Sequence, residues 1–150
     1  MPYFKPSKSS IHLIARAFLV EGEKVVLCRV KGKDWFFLPG GHIENGEPAA
    51  TALLRELNEE IGPNDYYISS FIGICENIFS LNEKTLQHEV NMIFKVDLGV
   101  DFKIAGCEED IEFISVERKD LGNLKILPGP IKEGMLEWLE TGRVFFKALR

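Results

Sequence analysis

The 150-residue sequence contains few cysteines, and their placement excludes the common disulfide and zinc frameworks. Its three cysteines, Cys28, Cys75 and Cys107, do not have the spacing of a metal-ligand motif. Cys28 and Cys75 lie inside apolar runs, which predicts reduced side chains that serve packing. Because the number of cysteines is odd and no signal-peptide pattern is present, we expect a cytoplasmic protein.

The sequence also lacks a membrane-spanning run and an excess of positive charge. Its apolar run Ile11–Val20 is interrupted by His12 and Arg16 and is too short to cross a bilayer, so we expect no membrane association. The 18 basic and 23 acidic residues give a net charge of −5, which argues against binding to a nucleic-acid backbone. With 45% hydrophobic residues, the chain suffices for one core, and we expect a single domain over 1–150 with a loose arm at 1–10.

Carboxylates are concentrated in one stretch of the chain, residues 41–63. Pro48 suits the first turn of a helix, and Gly62 followed by Pro63 suits its end. The intervening residues are rich in good helix formers. At about 100° per residue, one apolar stripe is predicted, and it comprises Ala50, Leu53, Leu54, Leu57 and Ile61.

A second face of the same predicted helix carries Glu56, Glu59 and Glu60 at spacings i, i+3 and i+4. Like charges at this spacing repel one another, and a bound divalent cation would reverse that effect. Oxygen ligands of this kind suit Mg²⁺ or Mn²⁺. Taken alone, three glutamates on one helical face are more often a solvated surface, so the flanking residues decide the interpretation.

The flanking residues resemble the Nudix box, the motif of the Nudix hydrolases. That motif is a glycine, five residues, Glu, seven residues and then Arg-Glu-apolar-any-Glu-Glu-any-Gly, followed by an apolar residue. Gly41, Glu47, Arg55-Glu56-Leu57, Glu59-Glu60 and Gly62 match it, and Pro63 stands where the family usually has an aliphatic residue. The lead-in Trp35 to Gly41 also resembles the family's Pro-Gly-Gly segment.

This resemblance implies roles for the matching positions. It implies that Glu56, Glu59 and Glu60 bind Mg²⁺, with Mn²⁺ as the alternative, and that the carbonyl of Gly41 is a main-chain ligand. Glu56 is our first choice for the residue that polarises the attacking water. The resemblance further implies that Glu47 and Arg55 form a supporting pair, in which the arginine holds carboxylates by bidentate hydrogen bonds.

Other candidate residues are supported by weaker patterns. Many family members take a further base or ligand from a late loop, and here Glu109 is our first choice and Glu108 the second; an acidic surface loop is the alternative. His42 follows Gly41 and could face a phosphate, although an exposed residue without a role is the plainer interpretation. Trp35 and Phe79 could stack on a nucleobase, against the alternative of core packing.

The order of elements predicts an α/β fold. Strands are expected at Ile11–Val20, Lys24–Val30, Trp35–Leu38, Tyr66–Phe79, Glu89–Leu98 and Ile111–Val116, with a second helix at Pro130–Glu140. Ser80–Gln87 is expected to be a turn, and Phe145–Arg150 is a tail that the pattern does not assign. The Nudix resemblance implies that these elements form an α/β/α sandwich with a mixed sheet.

Two functional hypotheses follow from these residues. The first is a Mg²⁺-dependent hydrolase that cleaves the pyrophosphate bond of a nucleoside diphosphate linked to another moiety. The alternative is a catalytically silent sensor that keeps the fold, although sensors often lose a metal-binding glutamate and none is missing here. Isomerisation of an isoprenoid diphosphate is a smaller possibility without matching extra residues. The pattern does not select the nucleotide substrate, and a homodimer is expected only because dimers are common in the family.

Overall fold

The computed structural model describes residues 10–106 and 108–149, and within them it contains seven strands and two α-helices. In chain order the elements are β1 (Ile11–Glu21), β2 (Lys24–Val30), β3 (Gly40–His42), α1 (Ala49–Glu60), β4 (Tyr66–Asn82), β5 (Thr85–Leu98), β6 (Ile111–Glu117), a 3-10 helix (Arg118–Asn123), α2 (Gly129–Thr141) and β7 (Phe145–Leu149). The predicted arm lies outside the described residues except for Ser10.

All seven strands belong to one mixed sheet, whose main path runs β6-β2-β1-β5-β4-β7 while β3 pairs with β1. β1 pairs with β5 in parallel and with β2 and β3 in antiparallel orientation. β4 pairs with β5 in antiparallel orientation and with β7 in parallel. β1 therefore lies near the centre of the sheet, next to the strand that carries Gly40 and Gly41.

The two helices pack on opposite faces of this sheet. Because side chains alternate along a strand, β1 supplies both faces. Its residues Ala15, Ala17 and Leu19 share one buried cluster with Leu53 and Leu57 of α1. Its residues Phe18 and Val20 share the other cluster with Ile131 and Met135 of α2. The sheet between two helices confirms the predicted α/β/α sandwich.

Helix α1 follows the predicted limits but is rotated slightly from the predicted stripe. Leu53, Leu57 and Ile61 are fully buried, as expected. Ala50 is exposed, and Ala52 is fully buried in its place. In this orientation Glu56 and Glu60 are half-buried and lie against the glycines of β3. Gly62 ends the helix with φ of +114°, a conformation that suits glycine.

The predicted turn at Ser80–Gln87 is wrong, because the strands β4 and β5 continue almost to their junction. Asn82 pairs with Thr85, so the connection is the two residues Glu83 and Lys84. The Lys84 amide donates a hydrogen bond of 2.9 Å to Asn82 Oδ1, which stabilises this tight turn. Polar residues are compatible with a strand here because the end of the hairpin is exposed to solvent.

Two further strand predictions are corrected. The expected strand Trp35–Leu38 contributes only isolated bridges at Phe36 and Phe37, and the regular strand is β3, which follows Pro39. Proline has no amide proton to donate, which favours a break in the ladder at that point. The unassigned tail forms β7, and Phe145 packs where a Cβ on Gly73 or on Gly134 would stand.

Neither helix in residues 10–106 and 108–149 combines the length and hydropathy required to cross a bilayer.

The two described cysteines, Cys28 and Cys75, are unpaired and buried, as their positions in apolar runs predicted. Cys107 lies outside the described residues.

Candidate metal and substrate site

The glycines before the helix allow β3 to lie directly against the carboxylates of α1. The Gly40 amide donates a hydrogen bond of 3.1 Å to Glu60 Oε2. A Cβ atom at Gly41 would overlap the carboxylate group of Glu56. Only glycine at this position therefore leaves room for the Glu56 side chain beside the strand. The structure thus brings together Gly41, Glu56 and Glu60, three of the four predicted metal-binding residues.

Glu60 is a half-buried carboxylate whose pKa is raised. Burial is the main cause that raises its pKa, from 4.5 to about 7, while the Gly40 amide opposes the shift. The neighbouring carboxylates of Glu108 and Glu56 raise this pKa further, and the Arg16 guanidinium lowers it. A carboxylate in this position is half-ionised near neutral pH, and a cation beside it would favour the ionised form.

Arg55 connects the loop before α1 to the carboxylates of the helix. Its Nε donates to Glu47 Oε2 at 2.8 Å, and its Nη2 donates to Glu47 Oε1 at 2.9 Å. Its Nη1 donates to Glu56 Oε1 at 3.1 Å and to Glu59 Oε1 at 3.4 Å. The bidentate pair of Glu47 and Arg55 is therefore present, and the same guanidinium also holds two of the predicted metal ligands.

Further contacts fix the orientation of this pair. Arg55 Nη2 also donates to the carbonyl of His42 at 3.1 Å, while the Glu44 amide donates to Glu47 Oε1 at 3.1 Å. The hydrogen bond from Arg55 is the main cause that lowers the pKa of Glu47 to about 2, and the Glu44 amide contributes in the same direction. Both oxygens of Glu47 are therefore committed to the loop and to Arg55.

The chemistry of the donor atoms fits a hard divalent cation. Glu56 Oε2 and Glu60 Oε1 accept no hydrogen bond from the described residues, and the Glu59 side chain is 58% exposed. Among the described residues, no three His, Cys, Asp or Glu side chains are already arranged as a ligand set, and Arg55 is hydrogen-bonded to Glu56 and Glu59. Oxygen donors and crowded negative charge are the features that Mg²⁺ and Mn²⁺ prefer in proteins.

An apolar cleft of about 630 Å³ opens on the α2 face of the sheet. Trp35 and Phe37 lie in its wall with their ring centroids 5.8 Å apart. Its remaining lining residues are Arg16, Val30, Asn77, Phe79, Leu127, Pro128, Gly129 and Leu149. Both aromatic residues singled out from the sequence, Trp35 and Phe79, therefore border one cavity rather than lying wholly within the core.

Two polar residues at this cleft were not predicted from the sequence: Arg16, which lines it, and Asn91, which contacts Arg16. Arg16 Nε donates to Asn91 Oδ1 at 3.2 Å, and its Nη1 donates to the Leu38 carbonyl at 3.1 Å. Asn91 is only 1% exposed and donates through Nδ2 to the carbonyl of Cys75 at 3.2 Å. The sequence does contain one indication, the charged Arg16 within the apolar run of β1. From that residue we inferred only that the run does not span a membrane.

Backbone hydrogen bonds hold both ends of the late acidic loop. The Ala105 amide donates to the Ile61 carbonyl at 2.8 Å, and the Lys31 amide donates to the Asp110 carbonyl at 2.9 Å. Glu108, our second choice in this loop, is close enough to raise the pKa of Glu60. A role for Glu109 stays a prediction.

His42 is the last residue of β3 and lies next to Arg55. Its Nε2 is 3.2 Å from His12 Nδ1, and the two rings meet edge to face. Its carbonyl accepts the hydrogen bond from Arg55 noted above. His42 does not line the aromatic cleft, so a contact with substrate phosphate at this side chain stays a prediction.

A helix-borne carboxylate site beside a glycine strand, carried by a mixed sheet between two helices, defines the class of this protein. The chain belongs to the Nudix hydrolase family, since the family model described as NUDIX domain matches residues 11–140. The resemblance first identified in the box residues therefore extends over most of the chain.

One curated relative and several solved structures are similar to this chain. The ADP-ribose pyrophosphatase of Methanocaldococcus jannaschii is 31% identical over 107 residues, which cover 67% of this chain and 57% of that protein. A mutator MutT protein from Bacillus halodurans is 17% identical, with a TM-score of 0.70 over 90% of this chain and 86% of that one. A MutT protein from Methanosarcina mazei Go1 is 18% identical, with a TM-score of 0.68 over 91% and 98% of the two chains. At this identity, the two structures show a shared fold.

Proposed function

We propose that this protein is a Mg²⁺-dependent hydrolase that cleaves the pyrophosphate bond of a nucleoside diphosphate linked to another moiety. The observation that carries the proposal is the convergence of Glu56, Glu60 and Gly41 beside β3, with Arg55 hydrogen-bonded to two glutamates of the same helix. Water attacks one phosphorus atom and the bridging P–O bond breaks. The products are a nucleoside monophosphate and the phosphorylated second moiety.

The residues of the site have separate roles in this reaction. Glu56 is the group that accepts the proton of the attacking water, since Arg55 holds its Oε1 and the described residues leave its Oε2 without a hydrogen bond. Glu59, Glu60 and the Gly41 carbonyl complete the oxygen set for the cation. Glu47 acts through Arg55, whose orientation it fixes by two hydrogen bonds.

The cation is Mg²⁺, with Mn²⁺ as a functional substitute. When bound, it would neutralise charge on the phosphoryl oxygens and lower the pKa of a bound water. The ionised form of Glu60 would then prevail at neutral pH, because a positive neighbour offsets the burial that raises its pKa. A second cation and a contribution from Glu109 or Glu108 are compatible with this donor set.

The aromatic cleft is the proposed site for the nucleoside. Trp35 and Phe79 supply flat apolar surfaces on which a base can stack, and Asn77 supplies an amide that can bond its polar edge. ADP-ribose is the first substrate to test, because the archaeal relative is an ADP-ribose pyrophosphatase. The phosphates of such a substrate would extend from the cleft toward the carboxylates, past Arg16.

A panel of diphosphates with Mg²⁺ tests this proposal. ADP-ribose, nucleotide sugars, dinucleoside polyphosphates, nucleoside triphosphates and capped RNA would be incubated with the protein, and nucleoside monophosphate or phosphate release would be measured. We expect release from at least one diphosphate and loss of release on addition of EDTA. If no substrate is cleaved while one of them binds the folded protein, the function is that of a sensor and the proposal is wrong.

The remaining expectations about the protein are also proposals. We propose a cytoplasmic protein that acts on small nucleotides, binds no nucleic-acid backbone and forms a homodimer. Sedimentation at several concentrations measures the oligomeric state, and electrophoresis with duplex DNA and RNA measures nucleic-acid binding.

A further inference from the structure

Arg16 is a cation in the middle of the sheet, between the aromatic cleft and the metal-binding carboxylates. It lies on β1, a strand with neighbours on both sides, and its side chain is half-buried. Burial lowers its pKa, whereas Glu60, Glu89 and Glu56 act in the opposite direction through their negative charges. A buried guanidinium is costly unless it is hydrogen-bonded or paired with an anion.

The internal contacts of Arg16 fix its guanidinium but leave some of its N–H groups without an acceptor in the described part of the chain. Nε is held by Asn91, and one Nη1 proton is held by the Leu38 carbonyl. Asn91 is itself fixed, because it is buried and bonded to the Cys75 carbonyl. Among the described residues, Nη2 donates no hydrogen bond, although a guanidinium has five N–H groups to donate.

The free edge of this guanidinium is accessible to a ligand. Arg16 lines the cleft that also contains Trp35, Phe37 and Phe79. Because Arg16 is only half-buried and lines this cleft, part of its side chain is exposed there. If the Arg16–Asn91 hydrogen bond served only to join strands β1 and β5, an uncharged side chain would suffice at position 16. It would also not need to face the cleft.

We propose that Arg16 binds a phosphoryl oxygen of the substrate through Nη2, and that Asn91 and the Leu38 carbonyl position it to do so. The ligand class rests on the proposed function, since the anion is the phosphate attached to the nucleoside in the cleft. This contact would not depend on which nucleobase the substrate carries. It would lie where the substrate passes from the aromatic cleft to the carboxylates. Leu38 precedes Gly40 by two residues, so the same segment touches both Arg16 and Glu60.

Binding of products separates this role from catalysis. Affinities for AMP against adenosine, and for UMP against uridine, would be measured by calorimetry at a fixed Mg²⁺ concentration, where none of these compounds is hydrolysed. We expect the wild type to prefer each monophosphate to its nucleoside. In Arg16→Gln this preference should fall by about tenfold or more, while nucleoside affinity stays within about twofold. Arg16→Lys should restore part of the preference, because it keeps the charge but loses the planar fork.

Two further variants test position and specificity. Arg29→Gln is the matched control: Arg29 lies on the neighbouring strand β2, pairs with Glu112 at 2.9 Å and does not line the cleft. We expect it to leave the monophosphate preference unchanged. Asn91→Ser, which frees Arg16 without removing it, should reduce the preference by several-fold with nucleoside affinity retained.

The outcomes distinguish this inference from the proposed function. If Arg16→Gln keeps the full monophosphate preference, or if the wild type has none, Arg16 does not bind phosphate. If the preference depends on Arg16 but no diphosphate is cleaved in the substrate panel, the phosphate contact stands and the proposed hydrolase activity is wrong. If diphosphates are cleaved with the preference unaffected by Arg16→Gln, the activity stands and the inference is wrong.

Discussion

Arg55 and Glu47 form a two-pronged ion pair, with Nε to Oε2 at 2.8 Å and Nη2 to Oε1 at 2.9 Å. The pair joins the loop before α1 to the second turn of the helix. Because the same guanidinium reaches Glu56 and Glu59, its position determines where two of the proposed metal ligands stand.

Replacing either Glu56 or Glu60 should abolish most of the hydrolase activity. We expect Glu56→Gln and Glu60→Gln each to lower turnover of the best substrate by roughly a hundredfold or more, since the first removes the proposed proton acceptor and the second removes a charge of the proposed cation site. Turnover would be measured with saturating Mg²⁺, and circular dichroism would verify the fold. Glu140→Gln, at an exposed position on α2, is the control and should keep normal turnover. Normal turnover in both Glu56→Gln and Glu60→Gln would refute the roles proposed for these two residues.

Arg55→Lys should lower turnover by about tenfold to a hundredfold while the protein remains folded. Lysine keeps the positive charge but cannot hold both oxygens of Glu47 and reach Glu56 at the same time. Turnover of Glu47→Gln and of the double variant completes the test. If Glu47 acts only through Arg55, its loss should add little once Arg55 is replaced. Fully multiplicative losses would mean that the two residues act independently.

Gly41→Ala should impair catalysis more than stability. Its Cβ would overlap the Glu56 carboxylate, a flexible side chain that can turn away, so the strand can remain in place while the site is distorted. We expect a loss of turnover comparable to that of Glu56→Gln, with a small change in melting temperature. Gly122→Ala is the matched control, because a Cβ at Gly122 meets no atom within 4 Å. Full activity in Gly41→Ala would contradict the close approach described here.

The stability of the metal-free protein should fall as the pH rises from about 5 to about 7. The pKa of Glu60 in the folded protein is about 7, above its ordinary value of 4.5, so the folded state retains a proton that the unfolded chain releases. This contribution is complete below pH 4.5 and is lost as the pH rises through 7. Melting temperatures in EDTA would be compared between wild type and Glu60→Gln. The variant should show a shallower fall, and parallel curves would contradict the raised pKa.

Trp35→Ala should raise KM by roughly tenfold and change kcat little, because stacking on the base contributes to binding in both the ground state and the transition state. Kinetics on the best substrate of the panel would measure both constants. Phe146→Ala is the control, since Phe146 is 65% exposed on β7 and does not line the cleft. An unchanged KM in Trp35→Ala would place the nucleoside elsewhere.

The local features of the site were predictable because they are encoded within a short stretch. Helix limits, the apolar stripe around Leu53 and Leu57, and the Arg55–Glu47 pair all depend on residues less than about two turns apart or on one loop. The error at Ala50 arose because the sheet, rather than the helix, determines which side of the stripe is covered. The extended β4–β5 hairpin was missed because exposed strands carry polar residues that look like a turn.

The long-range contacts could not be read from spacing. Arg16 meets Asn91 across 75 positions of the chain, and nothing near either residue indicates the other. The tail strand β7 forms because Phe145 fits between Gly73 of β4 and Gly134 of α2. Such pairs become visible only when the strands are assembled.

By itself, the sequence determined the carboxylate helix, its glycine-bounded ends and the family to which the chain belongs, since these depend on the order and spacing of neighbouring residues. The tertiary structure decided which carboxylate has a raised pKa, where the aromatic cleft opens, and which arginine lies between that carboxylate and the cleft. Burial and the distances between charges depend on how distant segments pack together, and a linear pattern carries no information about that packing.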